Sequence, residues 1–280
     1  MRLGVHVSIA GKIYEAVDRA QALGCETMQI FSRNPRGWTA APLSRDDAKE
    51  FIKRRKKANI FPVLVHIPYI INLATPVDSL YKKSIDSYIE DIKRADALEA
   101  EYFITHLGSH TGSGEEAGLK RFCGALNIIT EKANPKATIL LETTAGSGSS
   151  LGYKFEHIQY MLKNIKQKSK FGVCIDSQHM FAAGYDITKK ASLDKILKEF
   201  DKLIGLKNIK AVHLNDSKAD LGSRVDRHEH IGKGKIGKEG IKIFINHPKL
   251  KGLPFVLETP KNALNDEAAN LKTVRRLFFK

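Results

Sequence analysis

Gly172-Val173-Cys174-Ile175-Asp176 is a short apolar run that ends on a carboxylate, and this pattern recurs along the chain. Runs of four or five apolar or β-branched residues are typical of buried strands. Five further runs also end on a histidine or a glutamate. They are residues 61–65 before His66, 102–105 before His106, 138–141 before Glu142, 209–212 before His213 and 254–257 before Glu258.

Segments with helical periodicity lie between the strand-like runs, so that strands and helices alternate along the chain. The predicted strands are residues 3–6, 27–31, 61–65, 102–105, 138–141, 172–175, 209–212 and 254–257. The predicted helices are residues 13–23, a helix that begins at Ser44, and residues 78–98, 115–133, 155–166, 192–204, 237–246 and 266–279. Strict alternation indicates a parallel sheet. Eight such units favour a single (β/α)₈ TIM barrel over residues 1–280.

An open, doubly wound sheet is the alternative fold. That fold would carry a glycine-rich phosphate turn after an early strand, and the sequence has neither a GxGxxG nor a Walker motif. The barrel is therefore the preferred prediction, and it has a consequence for the strand ends. A parallel barrel brings the C-terminal ends of its strands to one rim, where its active site lies.

Six histidine and carboxylate side chains would converge on that rim. Unpaired, such groups cost several kcal/mol to bury, and a metal cluster satisfies them together. Further candidates follow two of the strands in predicted loops. The full set is His66, His106, Glu142, Asp176, His179, His213, Asp226, His228 and Glu258. One zinc ion needs about four ligands, so nine candidates suit two or three metals, and five imidazoles favour zinc over magnesium.

The charge and composition limit the partner and the compartment. A formal net charge of +15 suits a polyanion such as nucleic acid, although a merely basic soluble protein is equally compatible. The basic run at residues 53–57 lies within a predicted outer helix, which favours a solvated helix face. Three widely spaced cysteines argue against a disulfide framework, and no signal peptide or membrane span is evident. We therefore expect a cytoplasmic protein with no membrane partner.

A multi-metal site in a basic cleft favours phosphodiester hydrolysis. Two metal ions can generate a hydroxide and stabilise both oxygens of an in-line displacement. The sequence offers no GxSxG elbow and no Cys/His nucleophile arrangement in competition with this interpretation.

Three stretches resemble endonuclease IV, the metal-dependent apurinic/apyrimidinic endonuclease family of base-excision repair. They are residues 66–74 (HIPYIINLA), residues 172–179 (GVCIDSQH), and residues 212–218 with 222–228 (VHLNDSK and GSRVDRH). The likeness runs from residues 4–8 to residues 258–260, nearly the whole chain. One departure is Gln178, where the family usually has cysteine; because that position is not a ligand, metal binding is not put in doubt.

The resemblance implies a (β/α)₈ barrel with three zinc ions, in which Mn²⁺ could replace zinc at one position. It implies cleavage of double-stranded DNA 5′ to abasic sites, leaving 3′-hydroxyl and 5′-deoxyribose phosphate ends, and removal of blocking groups from 3′ ends. A single barrel needs no partner subunit for this, so we expect a monomer. By analogy, His66 and His106 hold the first metal, Glu142 bridges it to the second, and Asp176, His213 and Glu258 complete the second. His179, Asp226 and His228 hold the third, and Glu142 and Glu258 are the catalytic carboxylates.

The resemblance also implies residues that enter the duplex at the lesion. These are Arg36 in the second rim loop and Tyr69 and Ile70 in the third. From the residues alone, ordinary rim packing of Tyr69 and Ile70 is an equally good interpretation.

Two other functions stay open at this point. A sugar isomerase also uses a metal-bearing barrel, but its two-metal sites depend mainly on carboxylates, whereas five histidines point to zinc and hydrolysis. A DNA-binding module with structural zinc would need a closed, cysteine-rich site, and the chain has no CxxC pair.

Overall fold

The computed structural model describes residues 1–278, which contain ten strands and nine α-helices. The strands are β1 (Arg2–Val5), β2 (Met28–Phe31), β3 (Val63–His66), β4 (Tyr102–Thr105), β5 (Thr138–Glu142), β6 (Phe171–Asp176), β7 (Ile209–His213), β8 (Asp216–Ser217), β9 (His228–Glu229) and β10 (Pro254–Leu257). The helices are α1 (Glu15–Ala22), α2 (Arg45–Lys57), α3 (Asp78–Ala97), α4 (Glu115–Ala133), α5 (Phe155–Asn164), α6 (Ser177–Ala182), α7 (Lys190–Leu203), α8 (Gly237–Asn246) and α9 (Asp266–Leu277).

Eight of these strands form one parallel sheet that closes into a barrel. Their spatial order is β1-β10-β7-β6-β5-β4-β3-β2. The seam between β1 and β2 is closed by a parallel bridge between His6 and Gln29. The backbone N–H of Val7 also donates to the carbonyl of Gln29 at 2.7 Å. The predicted (β/α)₈ TIM barrel is therefore confirmed.

The barrel interior contains an apolar layer just below the strand ends. Its members are fully buried side chains of six strands: Leu64, Ile104, Leu140, Cys174, Ala211 and Val256. Because strand side chains alternate between the two faces, the residue two positions further on points into the same space. That residue is in every case one of the six predicted strand-end ligands. The period of two thus places those candidate ligands directly above the apolar layer.

A second core lies between the outer face of the barrel and the helices. Phe51, Tyr88 and Phe122 from α2, α3 and α4 are completely buried there. Tyr88 packs against Phe103 of β4, with ring centroids 5.0 Å apart. Burial of such large rings supplies much of the stabilisation of the fold, at about 25 cal/mol per Å² of apolar surface.

The structure corrects the predicted elements in two places near the rim. Asp176 is followed at once by helix α6, so His179 lies on a helix and not in a loop. The Asp176 carboxylate caps this helix by accepting from the backbone N–H of His179 at 2.8 Å. The short antiparallel pair β8–β9 was also not predicted, and two-residue strands give too little periodicity to be detected.

The prediction that residues 53–57 form a solvated helix face is wrong for Arg55. Lys53, Lys56 and Lys57 are exposed, but Arg55 is buried. Its guanidinium donates to the Glu101 carboxylate at 3.0 and 3.1 Å, so it is an internal ion pair between α2 and the start of β4. The predicted last helix reaches Phe279, which lies outside the described residues.

Within residues 1–278, helices that combine the length and the apolar character of a membrane span are absent. All three cysteines are buried and free.

Candidate metal centre

A cavity of about 500 Å³ opens at the C-terminal rim of the barrel strands. Six of the nine predicted ligands line it: His66, His106, His179, Asp226, His228 and Glu258. The other three, Glu142, Asp176 and His213, lie beneath its floor and are fully buried. The structure thus brings all nine candidates to one place.

Eight of the nine side chains form three groups, in each of which the possible ligand atoms lie within 4.8 Å of one another. The groups are His66, His106 and Glu142; Glu142, Asp176, His213 and Glu258; and Asp176, His179 and His228. Asp226 adjoins the third group, with its carboxylate 3.4 Å from His179 and 3.5 Å from His228. Glu142 and Asp176 each belong to two groups, which is the arrangement expected of carboxylates between neighbouring metal ions.

Glu142 lies at the centre of the arrangement, with its two oxygens directed to different sides. Oε2 is 3.2 Å from His66 Nε2 and 3.1 Å from His106 Nε2. Oε1 is 2.8 Å from His213 Nδ1. One carboxylate therefore faces imidazoles from three parts of the barrel, and this geometry can bridge two cations.

The electrostatics favour the ionised form of these groups. Burial raises the pKa of Glu142, but the charges of His213 and His106 outweigh it and hold that pKa well below its ordinary value. Burial lowers the pKa of His179, whereas Asp176 and Asp226 raise it, and the balance lies well above the ordinary value. Carboxylates that stabilise protonated imidazoles also attract metal cations. Metal binding at such a site displaces protons, because a ligating imidazole is neutral.

Hydrogen bonds fix which nitrogen of each imidazole faces the centre. Nδ1 of His66 donates to the Ile67 carbonyl at 2.7 Å, and Nδ1 of His179 donates to the Thr143 carbonyl at 2.7 Å. Nδ1 of His228 donates to the backbone carbonyl of Glu258 at 3.0 Å. In each case Nε2 is left as the atom that can bind a metal. Outer hydrogen bonds of this kind orient histidine ligands and raise their basicity.

The donor set fits metal ions by a further test. His228 Nε2 is buried and has no hydrogen-bond partner. A buried polar nitrogen without a partner costs about 1–3 kcal/mol. A metal ion in the third group would bind this atom and remove that cost. Five imidazoles with four carboxylates are the nitrogen and oxygen ligands that zinc accepts.

Asp216 holds the segment that follows the candidate ligands Asp226 and His228, a role that the sequence pattern did not indicate. Its buried carboxylate accepts from the backbone N–H groups of Gly232, Gly234, Ile236 and Gly237 at 2.8–3.2 Å. A Cβ on Gly234 would lie 2.4 Å from the Ser217 carbonyl, so only glycine fits there. A carboxylate three residues after a strand end, with a glycine-rich segment further along the chain, is the signal that could have indicated this anchor.

Two other contacts fix the loop that carries Asp226 from its opposite side. The Ser147 hydroxyl accepts from the backbone N–H of Asp226 at 3.1 Å, which places the glycine-rich segment at residues 146–152 on the rim. Gln178 donates to the Val225 carbonyl at 3.0 Å. Gln178, the residue that departs from the family pattern, thus supports the loop that carries Asp226.

The predicted lesion-contacting residues occupy different positions at the mouth. Tyr69 lines the cavity and is 64% exposed, with its ring 5.3 Å from that of Phe31. Arg36 is exposed on the neighbouring rim loop, where Pro35 reaches the cavity. Ile70 is half-buried and is not among the residues that line the cavity.

Comparisons with known proteins place this site in a family. The family model described as xylose isomerase-like TIM barrel matches residues 17–278. The fold and the clustered ligands therefore define a xylose isomerase-like barrel with a candidate metal centre. A protein named probable endonuclease 4 from Halothermothrix orenii is 45% identical over 276 residues, which is 99% of each chain. The probable endonuclease 4 of Methanosphaerula palustris is 45% identical over 280 residues, which cover 99% of this chain and 98% of that one.

Solved structures agree with these relatives. Endonuclease IV from Thermus thermophilus superimposes with a TM-score of 0.89 at 35% identity, covering 99% of this chain and 98% of that chain. The chain belongs to the endonuclease IV family and is a nuclease. A D-tagatose 3-epimerase-like protein matches with a TM-score of 0.73 at 18% identity, which reflects a shared fold alone.

Proposed function

We propose that this protein is a zinc-dependent repair endonuclease that hydrolyses the DNA phosphodiester bond 5′ to an abasic site. The products are a 3′-hydroxyl and a 5′-deoxyribose phosphate. The same site removes blocking groups from 3′ ends, since both reactions break a phosphodiester next to a deoxyribose. The observation that carries the proposal is the position of Glu142, between two groups of candidate ligands at the floor of one rim cavity.

Three zinc ions per chain fit the three groups of side chains. We assign His66 and His106 to the first metal and Glu142 to a bridge between the first and the second. Asp176, His213 and Glu258 complete the second, and His179, Asp226 and His228 hold the third. When bound, the metal ions lower the pKa of water and stabilise the charge that develops on the phosphoryl oxygens.

The chain's own residues orient and enclose this chemistry. Glu142 and Glu258 bring two carboxylates to the centre, and both are held in the ionised form by neighbouring imidazoles. The rings of Phe31 and Tyr69 form an apolar wall of the cavity. Such a wall lowers the local dielectric and strengthens the interaction of the centre with a phosphate.

The relatives and the net charge of the chain both favour double-stranded DNA as the substrate. The relatives are named endonucleases, and the net charge of +15 suits a polyanion. One chain supplies all nine candidate ligands, so a monomer can act alone.

Product mapping tests this proposal. A duplex with a single tetrahydrofuran abasic analogue, labelled at its 5′ end, is incubated with zinc-loaded protein, and the same duplex without the lesion is the control. We expect one nick on the 5′ side of the lesion, with an end that a polymerase extends directly. Cleavage on the 3′ side, or equal nicking of both duplexes, would contradict the proposal.

A further inference from the structure

His213 differs from His66, His179 and His228 in what holds its second nitrogen. In those three the partner is a backbone carbonyl, which no substitution removes. In His213 the partner is a side chain, because Nε2 donates to Oε1 of Gln29 at 2.7 Å. His213 Nδ1 is thereby left facing Glu142 and Glu258, at 2.8 and 3.2 Å.

Gln29 is completely buried in the barrel seam, and its side-chain amide makes hydrogen bonds through both its oxygen and its nitrogen. Its Nε2 donates to Glu258 Oε1 at 2.6 Å and to His6 Nδ1 at 2.9 Å. The orientation of the amide follows from chemistry. Turning it over would place its oxygen against the Glu258 carboxylate, two acceptors that cannot share a hydrogen bond.

The same amide determines the tautomer of His6. Because Gln29 Nε2 lies 2.9 Å from His6 Nδ1, closer than Glu258 Oε1 at 3.5 Å, Nδ1 accepts from Gln29 and the ring hydrogen of a neutral His6 lies on Nε2. That atom is buried, has no hydrogen-bond partner, and belongs to a ring that lines the cavity. His6 therefore carries a buried donor without a partner in a ring at the edge of the cavity.

We propose that Gln29 is a positioning residue of the metal centre, which selects Nδ1 of His213 for a metal ion and fixes the Nε2–H tautomer of His6. This inference rests on the proposed function, because it takes the centre to hold metal. One neutral side chain would then connect a metal ligand on β7, a ligand after β10 and a histidine after β1.

Two substitutions at Gln29 separate its two roles. Gln29→Met has a similar length but neither donor nor acceptor. Removing an outer partner of a metal ligand costs about 10–100-fold in metal affinity. We expect zinc-loaded Q29M to release metal to a chromophoric chelator about 10-fold faster than the wild type or more. Gln159→Met, a glutamine on α5 that makes one hydrogen bond to the Leu203 carbonyl, is the matched control and should release metal at the wild-type rate.

Gln29→Glu replaces the donor that faces His6 with an acceptor. Zinc-loaded protein labelled with ¹⁵N-histidine reports tautomers directly by long-range NMR correlations. We expect the Nε2–H form of His6 in the wild type and the Nδ1–H form in Q29E. A structural role alone would not invert a tautomer.

The outcomes are distinct for the inference and for the function on which it rests. Equal metal release by the wild type and Q29M, or an unchanged Nε2–H signal of His6 in Q29E, would overturn the role of Gln29. A wild-type protein that binds no zinc would instead overturn the proposed function.

Discussion

The contacts of Glu142 require a charged side chain, which a neutral group of the same shape could not replace. Its carboxylate is fully buried and lies within 3.2 Å of His66, His106 and His213. Removing one charged partner from such a buried set leaves the others uncompensated, which is a large effect. The charge of this residue, and not only its shape, should therefore hold the centre together.

Glu142→Gln tests that conclusion because it keeps the shape and removes the charge. Two cations could no longer share the side chain, and we expect nicking of abasic duplex to fall by at least about 10²-fold, the scale of losing one charge-stabilising group. Rates from single-turnover nicking and zinc content by mass spectrometry are measured together. A cooperative thermal transition by circular dichroism should persist.

Glu99→Gln is the matched control for that substitution. Glu99 forms a surface ion pair with Lys56 at the opposite, N-terminal end of the strands. Its loss should leave nicking unchanged. Near-normal turnover of E142Q with full zinc content would rule out the bridging role.

For individual residues, the sequence predicted which candidate ligands meet at the rim, but not the side chains that support them. The nine candidates could be found because each follows a strand-like run or lies close to such a run. Gln29 and Asp216 could not, because their importance lies in hydrogen bonds to residues far along the chain. Gln29 contacts Glu258 across the closed seam of the barrel, and only closure brings the two together.

Among the elements, the third rim loop carries the proposed lesion contacts. Inserting planar or apolar side chains into a base step costs a few kcal/mol of unstacking. An abasic site lowers that cost, since one base is already missing. Exposed Tyr69 and half-buried Ile70 should therefore discriminate damaged from intact DNA by the ease of deformation, together with Arg36 on the adjacent loop.

Replacing Tyr69 and Ile70 together with alanine is the corresponding experiment. We expect affinity for abasic duplex to fall much more than affinity for intact duplex. A fluorescence titration under conditions in which the DNA is not cleaved measures both affinities. Lys218→Ala, at an exposed rim position after β8, is the comparison and should weaken both alike if it contacts phosphate. Equal losses on the two duplexes for the double variant would mean that Tyr69 and Ile70 only pack on the rim.

Glu115, at the start of α4, contacts residues at the start of α5. Its carboxylate accepts from the Tyr153 hydroxyl and lies near Lys154 and His157, and these contacts lower its pKa to about 2 from an ordinary 4.5. A lowered folded pKa stabilises the protein above pH 4.5, and this contribution is lost as the pH falls through about 2.

Glu115→Gln should therefore lower the melting temperature at neutral pH and have progressively less effect in acid. The quantity to measure is the difference in melting temperature between wild type and variant from pH 7 to pH 3. A difference that does not change with pH would show that the ionised form of Glu115 contributes no stability.

The alternation of strands and helices was predictable from the sequence because each element is long enough to show its period. The exceptions are short: α6 has six residues, and β8 and β9 have two each. All three lie at the rim, where hydrogen bonds to candidate ligands and to the glycine-rich segment determine the backbone path. Local periodicity carries no information on such contacts.

For the molecule as a whole, the excess of basic residues should govern affinity for DNA. Neutralising phosphates releases counterions, so the logarithm of affinity should fall linearly with the logarithm of salt concentration. We expect equal slopes for abasic and intact duplex, with the abasic complex tighter by a constant factor. Titrations in 50–300 mM potassium chloride measure this. Binding that does not depend on salt would contradict a role for the net charge of +15.

We propose that the nine side chains hold the zinc ions with which the protein hydrolyses the abasic strand. Ligands spread over much of the chain should release metal slowly, whereas nucleases that hold magnesium through few ligands and several waters lose it at once. The direct measurement combines zinc content with nicking of abasic duplex during a time course in EDTA. We expect about three zinc ions per chain, activity that survives brief chelation and fails together with zinc loss, and recovery with zinc. Immediate loss of activity in EDTA, reversed by magnesium alone, would contradict zinc binding by these side chains.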